Sequence, residues 1–397
     1  MSRVRDAVHR FTAVFDDVGR DAVTRERDRR LPHAEVAALR EAGFTRVTLP
    51  EEFGGGGEAP SVLFELLAEL ARRDPNLAQL FRSHFSFVDR TVLAPPSSQR
   101  TRRLELISSG AIVGNASHER STAKVGTLAT TLADSPDGLV LDGTKYYSTG
   151  TLFADLVSVA AQDEGGALVS ALVPTNASGV EVIDDWTGFG QRMTGSGTTV
   201  FRAVTVTEDA VSRRLTGGPS HGGAFVQLVL LATVAGIGRA IVDDAVQFVQ
   251  TRTRTFSHGS AAMAREDPIV QETVGRLSAL AFAADSALAS AAAGLDESTT
   301  AQQSGASGEE LRAIIEPVEA STTRAQLVIL PSVLDAATLL FEVGGASAVD
   351  TGLALDRHWR NARTIASHNP TPFKARALGD LLLNGIPVPG WWSTGEA

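Results

Sequence analysis

Apolar residues recur at helical spacing from the start of the chain. Val8, Phe11, Val14, Phe15 and Val18 fall on one helical stripe, and Val36, Leu39 and Phe44 repeat the spacing further along. The run SVLFELLAELARRDPN reads as another helix, with Ser61 as its N-cap and Glu65 just beyond the first turn. Near residue 113 the pattern changes. GLVLDGTKYYSTG, ALVSALVP and TTVFRAVTV are short β-rich runs separated by Gly, Pro, Asp and Asn turns. In TTVFRAVTV, Val200, Arg202, Val204 and Val206 alternate with Thr199, Phe201, Ala203 and Thr205, a period of two. From about residue 221 long Ala- and Leu-rich helical stretches return. The polar run DESTTAQQSGASGEE reads as an exposed loop between two of them, and Pro317 and Pro331 are expected to kink or divide the helix beyond. No internal repeat is visible. The pattern predicts three zones: helical over 1–112, β over 113–212 and helical over 213–397.

Composition narrows the setting. A chain of 397 residues can bury a large core. Its net charge of −10 argues against nucleic acid or an anionic membrane as partner. The opening MSRVRDAVHRF has helical rather than leader character. The longest apolar stretch, around Phe225–Gly238, is interrupted by Gln227, Thr233 and Gly236 and reads as too short to span a bilayer. Cysteine is absent, which excludes disulfides, thiolate chemistry and Cys-ligated metals. A cytoplasmic location is the expectation.

Several motifs carry no chemistry of their own. EEFGGGG lacks the Lys-Ser/Thr of a phosphate loop and reads as a tight turn. GIGRA sits inside a long apolar helical pattern, where its glycines permit close helix packing. No metal is expected. Two histidines stand out: His84 in FRSHFSFVD and His368 in TIASHNPTP. Each suits proton transfer near neutral pH, but taken alone each reads first as a surface or satisfied core histidine. DRHWRNAR reads either as a solvated helix face or as a set of donors for a phosphate beside Gly344 and Gly345.

Read together, LPEEFGG, LDGTKYYSTG, FGQRMTGSGTTVF, FVQTRTRTF, FEVGGAS and LDRHWRNARTIASHNP resemble the acyl-CoA dehydrogenase superfamily, in order and over nearly the whole chain. More narrowly they resemble its flavin monooxygenase branch, which includes dibenzothiophene monooxygenase, sulfone-active enzymes and alkylamine N-hydroxylases. The resemblance implies an α+β fold: an N-terminal helical domain, a central β-barrel-like domain and a C-terminal four-helix bundle, assembled as a homotetramer. It implies that Tyr147 lies beside the flavin ring, that Thr149 makes a polar contact to it, and that Asn115 lies at its reactive edge. It implies that Arg252 contacts the flavin phosphate across a subunit boundary, with Gly344 and Gly345 in close approach nearby. His368 and His84 match the branch's active-site histidines. Phe81, Phe85 and Phe87 either line an apolar substrate pocket or simply pack.

Two departures separate the branches. Where dehydrogenases carry a catalytic Glu, this chain has Ser367, His368, Asn369 and Pro370. Where they often carry Gln, three residues before the Gly-Gly pair, it has Phe341, which favours FMN over FAD. The resemblance therefore implies a two-component monooxygenase. It takes reduced FMN from a flavin reductase and uses O2, through a C4a-(hydro)peroxyflavin, to oxygenate a small, largely apolar substrate at sulfur, nitrogen or aromatic carbon. An amine N-hydroxylase and a true FAD-dependent acyl-CoA dehydrogenase are the alternatives.

Overall fold

The computed structural model describes residues 2–120, 127–136, 138–213, 218–253 and 257–391. Helices come first: α1 (Ser2–Gly19), α2 (Ala22–Asp28), α3 (His33–Glu41), α4 (Pro60–Arg73), α5 (Pro75–Leu80), α6 (Arg82–Leu93) and α7 (Ser98–Ser108). Strands follow: β1 (Val113–Ala116), β2 (Thr131–Ser135), β3 (Gly138–Lys145), β4 (Leu156–Asp163), β5 (Leu168–Pro174), β6 (Val180–Val182), β7 (Thr199–Val206) and β8 (Val211–Arg213). The chain returns to helices in α8 (Gly222–Thr251), α9 (Pro268–Gln303), α10 (Gly308–Leu339), α11 (Asp356–Ala366) and α12 (Thr371–Asn384).

The apolar stripe of α1 buries Phe11 and Phe15, whose rings meet Phe44 edge-on at 5.7 and 5.4 Å. Phe44 in turn meets Phe81 and Phe85 at 5.7 and 5.3 Å. These aromatics are therefore core residues that lock α5 and α6 onto α1, and Phe87 packs with Leu49, Val88 and Leu104. A continuous apolar core joins the N-terminal helices to α8, α9 and α10, while the sheet has a core of its own. GIGRA lies in α8 as packing predicts: a Cβ on Gly236 would stand 2.3 Å from Ala68 O.

The sheet is mixed, in the order β6-β7-β3-β2-β4-β5-β8, with β1 parallel to β4. Its path ends at β6 and β8, so among the described residues it is open rather than closed as a barrel. In β7 the alternation expected from the sequence breaks once. Thr199 and Phe201 face inward, then Ala203 adopts φ 48° and Val204 and Val206 face inward. The register against β3 shifts nearby, between Leu141 and Gly143, and Ala203 N–H donates to Asp142 Oδ1 at 2.9 Å. A bulge changes which parity is buried, so one period of two cannot describe the whole strand.

Three sequence expectations fail here. DESTTAQQ is not a loop: α9 continues through Gln303. Its Asp296 accepts from Ser61 N–H at 2.8 Å and from Ser61 Oγ at 2.5 Å, and the same pair corrects the capping assignment, since Ala59 is the N-cap of α4. Helix α10 runs undivided through both Pro317 and Pro331, its flanks packed on α8 and α9. Finally, three helices are long and apolar enough to cross a membrane by length and composition alone, and the apolar window of α8 is 83% buried inside the fold.

Candidate active site

The loop after β3 is tied on three sides. Tyr146 N–H donates to His118 O at 2.9 Å, Ser148 N–H to Gly197 O at 3.1 Å and Gly150 N–H to Thr194 O at 2.9 Å. Gly150, at φ 81°, comes so close to the end of α5 that a Cβ would stand 2.3 Å from Leu80 O. This grip forces Tyr147 to φ 61°, a left-handed conformation that costs a non-glycine residue roughly 1–3 kcal/mol. Tyr147 is 44% exposed, and its ring meets Trp186 edge-on, centroids 6.1 Å apart. Thr149 is buried, with Oγ1 2.8 Å from Ser196 Oγ.

Asn115 stands on β1. Its Oδ1 accepts from Ser117 Oγ at 2.6 Å, which leaves the amide N–H groups as the available donors. What fixes β1 is His84. Val113 N–H donates to His84 Nδ1 at 3.3 Å, so the ring proton sits on Nε2 and donates to Thr45 O at 2.7 Å. The ring is fully buried, and burial pushes its pKa down to about 4. Both nitrogens of His84 are occupied by backbone, so it has no nitrogen free for proton transfer in this arrangement.

His368 lies at the turn between α11 and α12 and is open to solvent, although protein atoms wall it in on most sides. Arg82, the first residue of α6, is only 6% exposed, and its Nη1 donates to His368 Nε2 at 2.6 Å. A guanidinium has no acceptor, so the His368 proton is on Nδ1. Burial, then the charges of Arg82 and His118, hold the imidazole well below its ordinary pKa, and it is neutral at pH 7. His118, paired by backbone with Tyr146, is likewise lowered by burial and by Arg82 and Lys145.

Arg252 and the Gly-Gly turn form a second group, on the bundle. Arg252 Nη1 donates to Val343 O at 2.9 Å. A Cβ on Gly344 would stand 2.4 Å from the Phe248 ring, and Gly345 adopts φ 54°. A crevice of about 570 Å3 opens beside this turn, lined by Glu26, Arg192, Phe341, Leu355, Arg357 and Arg360 rather than by His368. The donors of DRHWRNAR are mostly spent on protein. Arg357 and His358 hold Asp244 at 2.6 and 2.7 Å, and Arg360 and Asn361 each reach Glu26 at 2.9 Å. They act as a buckle between α11, α8 and α2.

Reading the sequence missed Arg82, His118, Ser148 and Gln191. Arg82 left a signal, a cation inside the otherwise apolar LFRSHF. Gln191 left none, since only the fold shows its φ of 51° and its two buried amide atoms without a hydrogen-bond partner.

Helical domain, mixed sheet and helical bundle follow one another along the chain as one scaffold. Family models describe residues 2–110, 116–204 and 228–372 as the N-terminal, middle and C-terminal domains of acyl-CoA dehydrogenase. A dibenzothiophene monooxygenase of Mycolicibacterium goodii is 32% identical, over 89% of this chain and 88% of its own. The probable FMNH2-dependent monooxygenase SfnC of Pseudomonas putida is 29% identical over 93% of each chain. The crystal structure of TdsC from Paenibacillus sp. A11-2 with FMN and indole matches at TM-score 0.88 and 28% identity, covering 97% of this chain and 99% of that one. The chain belongs to the acyl-CoA dehydrogenase superfamily and, within it, to the flavin monooxygenase branch. The site suits a flavin on physical grounds. Ser148 Oγ, Gln79 Oε1 and both amide atoms of Gln191 are buried without partners, and each such atom costs about 1–3 kcal/mol until a ligand satisfies it.

Proposed function

We propose that this chain is the oxygenase of a two-component system. It receives reduced FMN from a separate flavin reductase and transfers one atom of O2 to a small substrate at sulfur, nitrogen or aromatic carbon. One observation carries the reading: where a dehydrogenase needs a carboxylate base, this site holds a neutral imidazole whose Nε2 is already taken by Arg82 at 2.6 Å. Such a group cannot strip an unactivated α-proton, but its Nδ1–H can hold a hydrogen bond or release one proton. The names of SfnC and of the TdsC complex support FMN as the flavin.

Bound reduced flavin supplies the two electrons that activate O2. The rest falls to the chain. Tyr147 offers its exposed ring as a stacking surface, and Thr149, Ser148 and Gln191 offer polar contacts to the ring edge. Arg252 with Gly344 and Gly345 takes the phosphate end, contributed to a neighbouring subunit in a homotetramer. Asn115 donates from its amide to the oxygen being transferred without any proton to lose. His368 manages the proton at Nδ1, and His84 holds β1, and so Asn115, in register.

The test is stopped-flow absorbance of the protein with anaerobically reduced FMN, with FAD in parallel, mixed with oxygenated buffer. A resolved transient between reduced and oxidised flavin is expected with FMN. Direct reoxidation, together with bleaching of a tightly held FAD by an acyl-CoA, would overturn the reading in favour of a dehydrogenase.

A further inference from the structure

Two arginines are buried among the described residues, and they are provided for differently. Arg25, 1% exposed, reaches Glu35 and Asp74, each at 2.8 Å. Arg82, 6% exposed, has no carboxylate within ion-pair distance among the described residues, and its one partner is a neutral imidazole. An imidazole satisfies one N–H but offers no countercharge, and a lone buried charge is costly. Its pKa falls to about 10 through burial alone, so it stays charged at neutral pH. Near it stand His368 and His118, both open to solvent, and His118 is bonded through its backbone to the Tyr146–Tyr147 loop. The unneutralised guanidinium therefore lies beside two solvent-exposed histidines, one bonded to it and the other tied to the loop that carries the exposed Tyr147.

We infer that Arg82 is the substrate-recognising residue of this site, and that the substrate is a small organic anion with a carboxylate or sulfinate head. The fork of a guanidinium matches two coplanar oxyanion oxygens, and a phosphate-sized dianion is not required to balance one charge. Hydrogen-bonded to His368, Arg82 would set the anionic head beside the group that handles the proton. This deepens the monooxygenase reading and rests on it, and it gives the small, largely apolar substrate a charged head.

The experiment is calorimetric titration of the FMN-saturated protein with benzoate and benzenesulfinate, against the neutral benzamide and methyl phenyl sulfone. At least one anion is expected to bind roughly tenfold tighter than its neutral counterpart. Arg82→Met should abolish that preference, Arg82→Lys should keep part of it, and FMN affinity should change by less than roughly twofold in both. The methionine variant exchanges an unpaired buried charge for an apolar side chain, so loss of the fold is not expected. Equal binding of anion and neutral, binding of neither anion, or a preference that survives Arg82→Met would overturn the inference. So would loss of FMN affinity alone in Arg82→Met, which would assign Arg82 to the flavin. A wild-type chain that binds no reduced FMN under anaerobic conditions would instead sink the monooxygenase reading, while the same titration without flavin would still report on Arg82.

Discussion

At the residue scale, two histidines in one chain serve opposite ends. His84 has both ring nitrogens bonded to backbone and no exposure, whereas His368 is exposed and only its Nε2 is taken by Arg82. The sequence put an aromatic run around the first and a proline after the second, and neither fact tells which nitrogen is free. His84→Ala is expected to cost about 3 kcal/mol in denaturant unfolding, because it opens a cavity and orphans Thr45 O and Val113 N–H. His368→Ala, which takes the one partner from buried Arg82, should lower the unfolding midpoint less than His84→Ala does and lower the product formed per reduced FMN oxidised by roughly tenfold or more. A midpoint that falls equally in both variants would remove the distinction.

At the element scale, the helix pair α8 and α10 carries a second buried acid–base feature, away from the chemistry. Glu319 on α10 is 4% exposed and its Oε1 accepts from Ala224 N–H, in the first turn of α8, at 3.0 Å. Burial raises its pKa to about 7, despite that hydrogen bond and the nearby charges of Lys374 and His221. The folded value lies above the unfolded one, so the folded state binds the extra proton between them. Its contribution to stability is present below about pH 4.3 and is lost as pH rises through about 7. Glu319→Gln keeps an acceptor for Ala224 and should flatten this part of the stability–pH curve. Urea unfolding of both proteins between those two pH values is the check, and an unchanged slope would refute it. Composition misled most at this scale. DESTTAQQ is polar enough for a loop, yet Ser298 in it is fully buried against His221 at 2.5 Å. Tertiary partners outweighed local propensity.

At the scale of the whole molecule, the outer faces of the bundle are unfinished in a single chain. The apolar windows of α9 and α10 are 33% and 44% buried, and Ile269, Phe282 and Val328 are 75%, 73% and 42% exposed. Exposed apolar area on this scale suits a subunit interface. Light scattering is expected to give about four times the 41.7 kDa chain mass. Phe282→Glu should shift it toward smaller species, with FMN affinity falling in step if Arg252 serves a neighbouring subunit. A monomeric wild type would refute the assembly.

The succession of helical, β and helical zones was legible in the sequence, because periods of 3.6 and 2 survive in any well-buried element. So was the glycine packing at Gly236, which needs only a small residue in an apolar helix. The Tyr147–Thr149 loop and the Arg252–Gly344 turn were legible only through resemblance, and their partners were not. What tertiary structure alone decided was pairing. It set Arg82 of α6 against His368, 286 positions away, occupied both nitrogens of His84, and left the amide of Gln191 without a partner. A one-dimensional pattern records which side chains are apolar. Which polar group finds a partner, and which is left waiting for one, depends on distances between residues far apart in the chain.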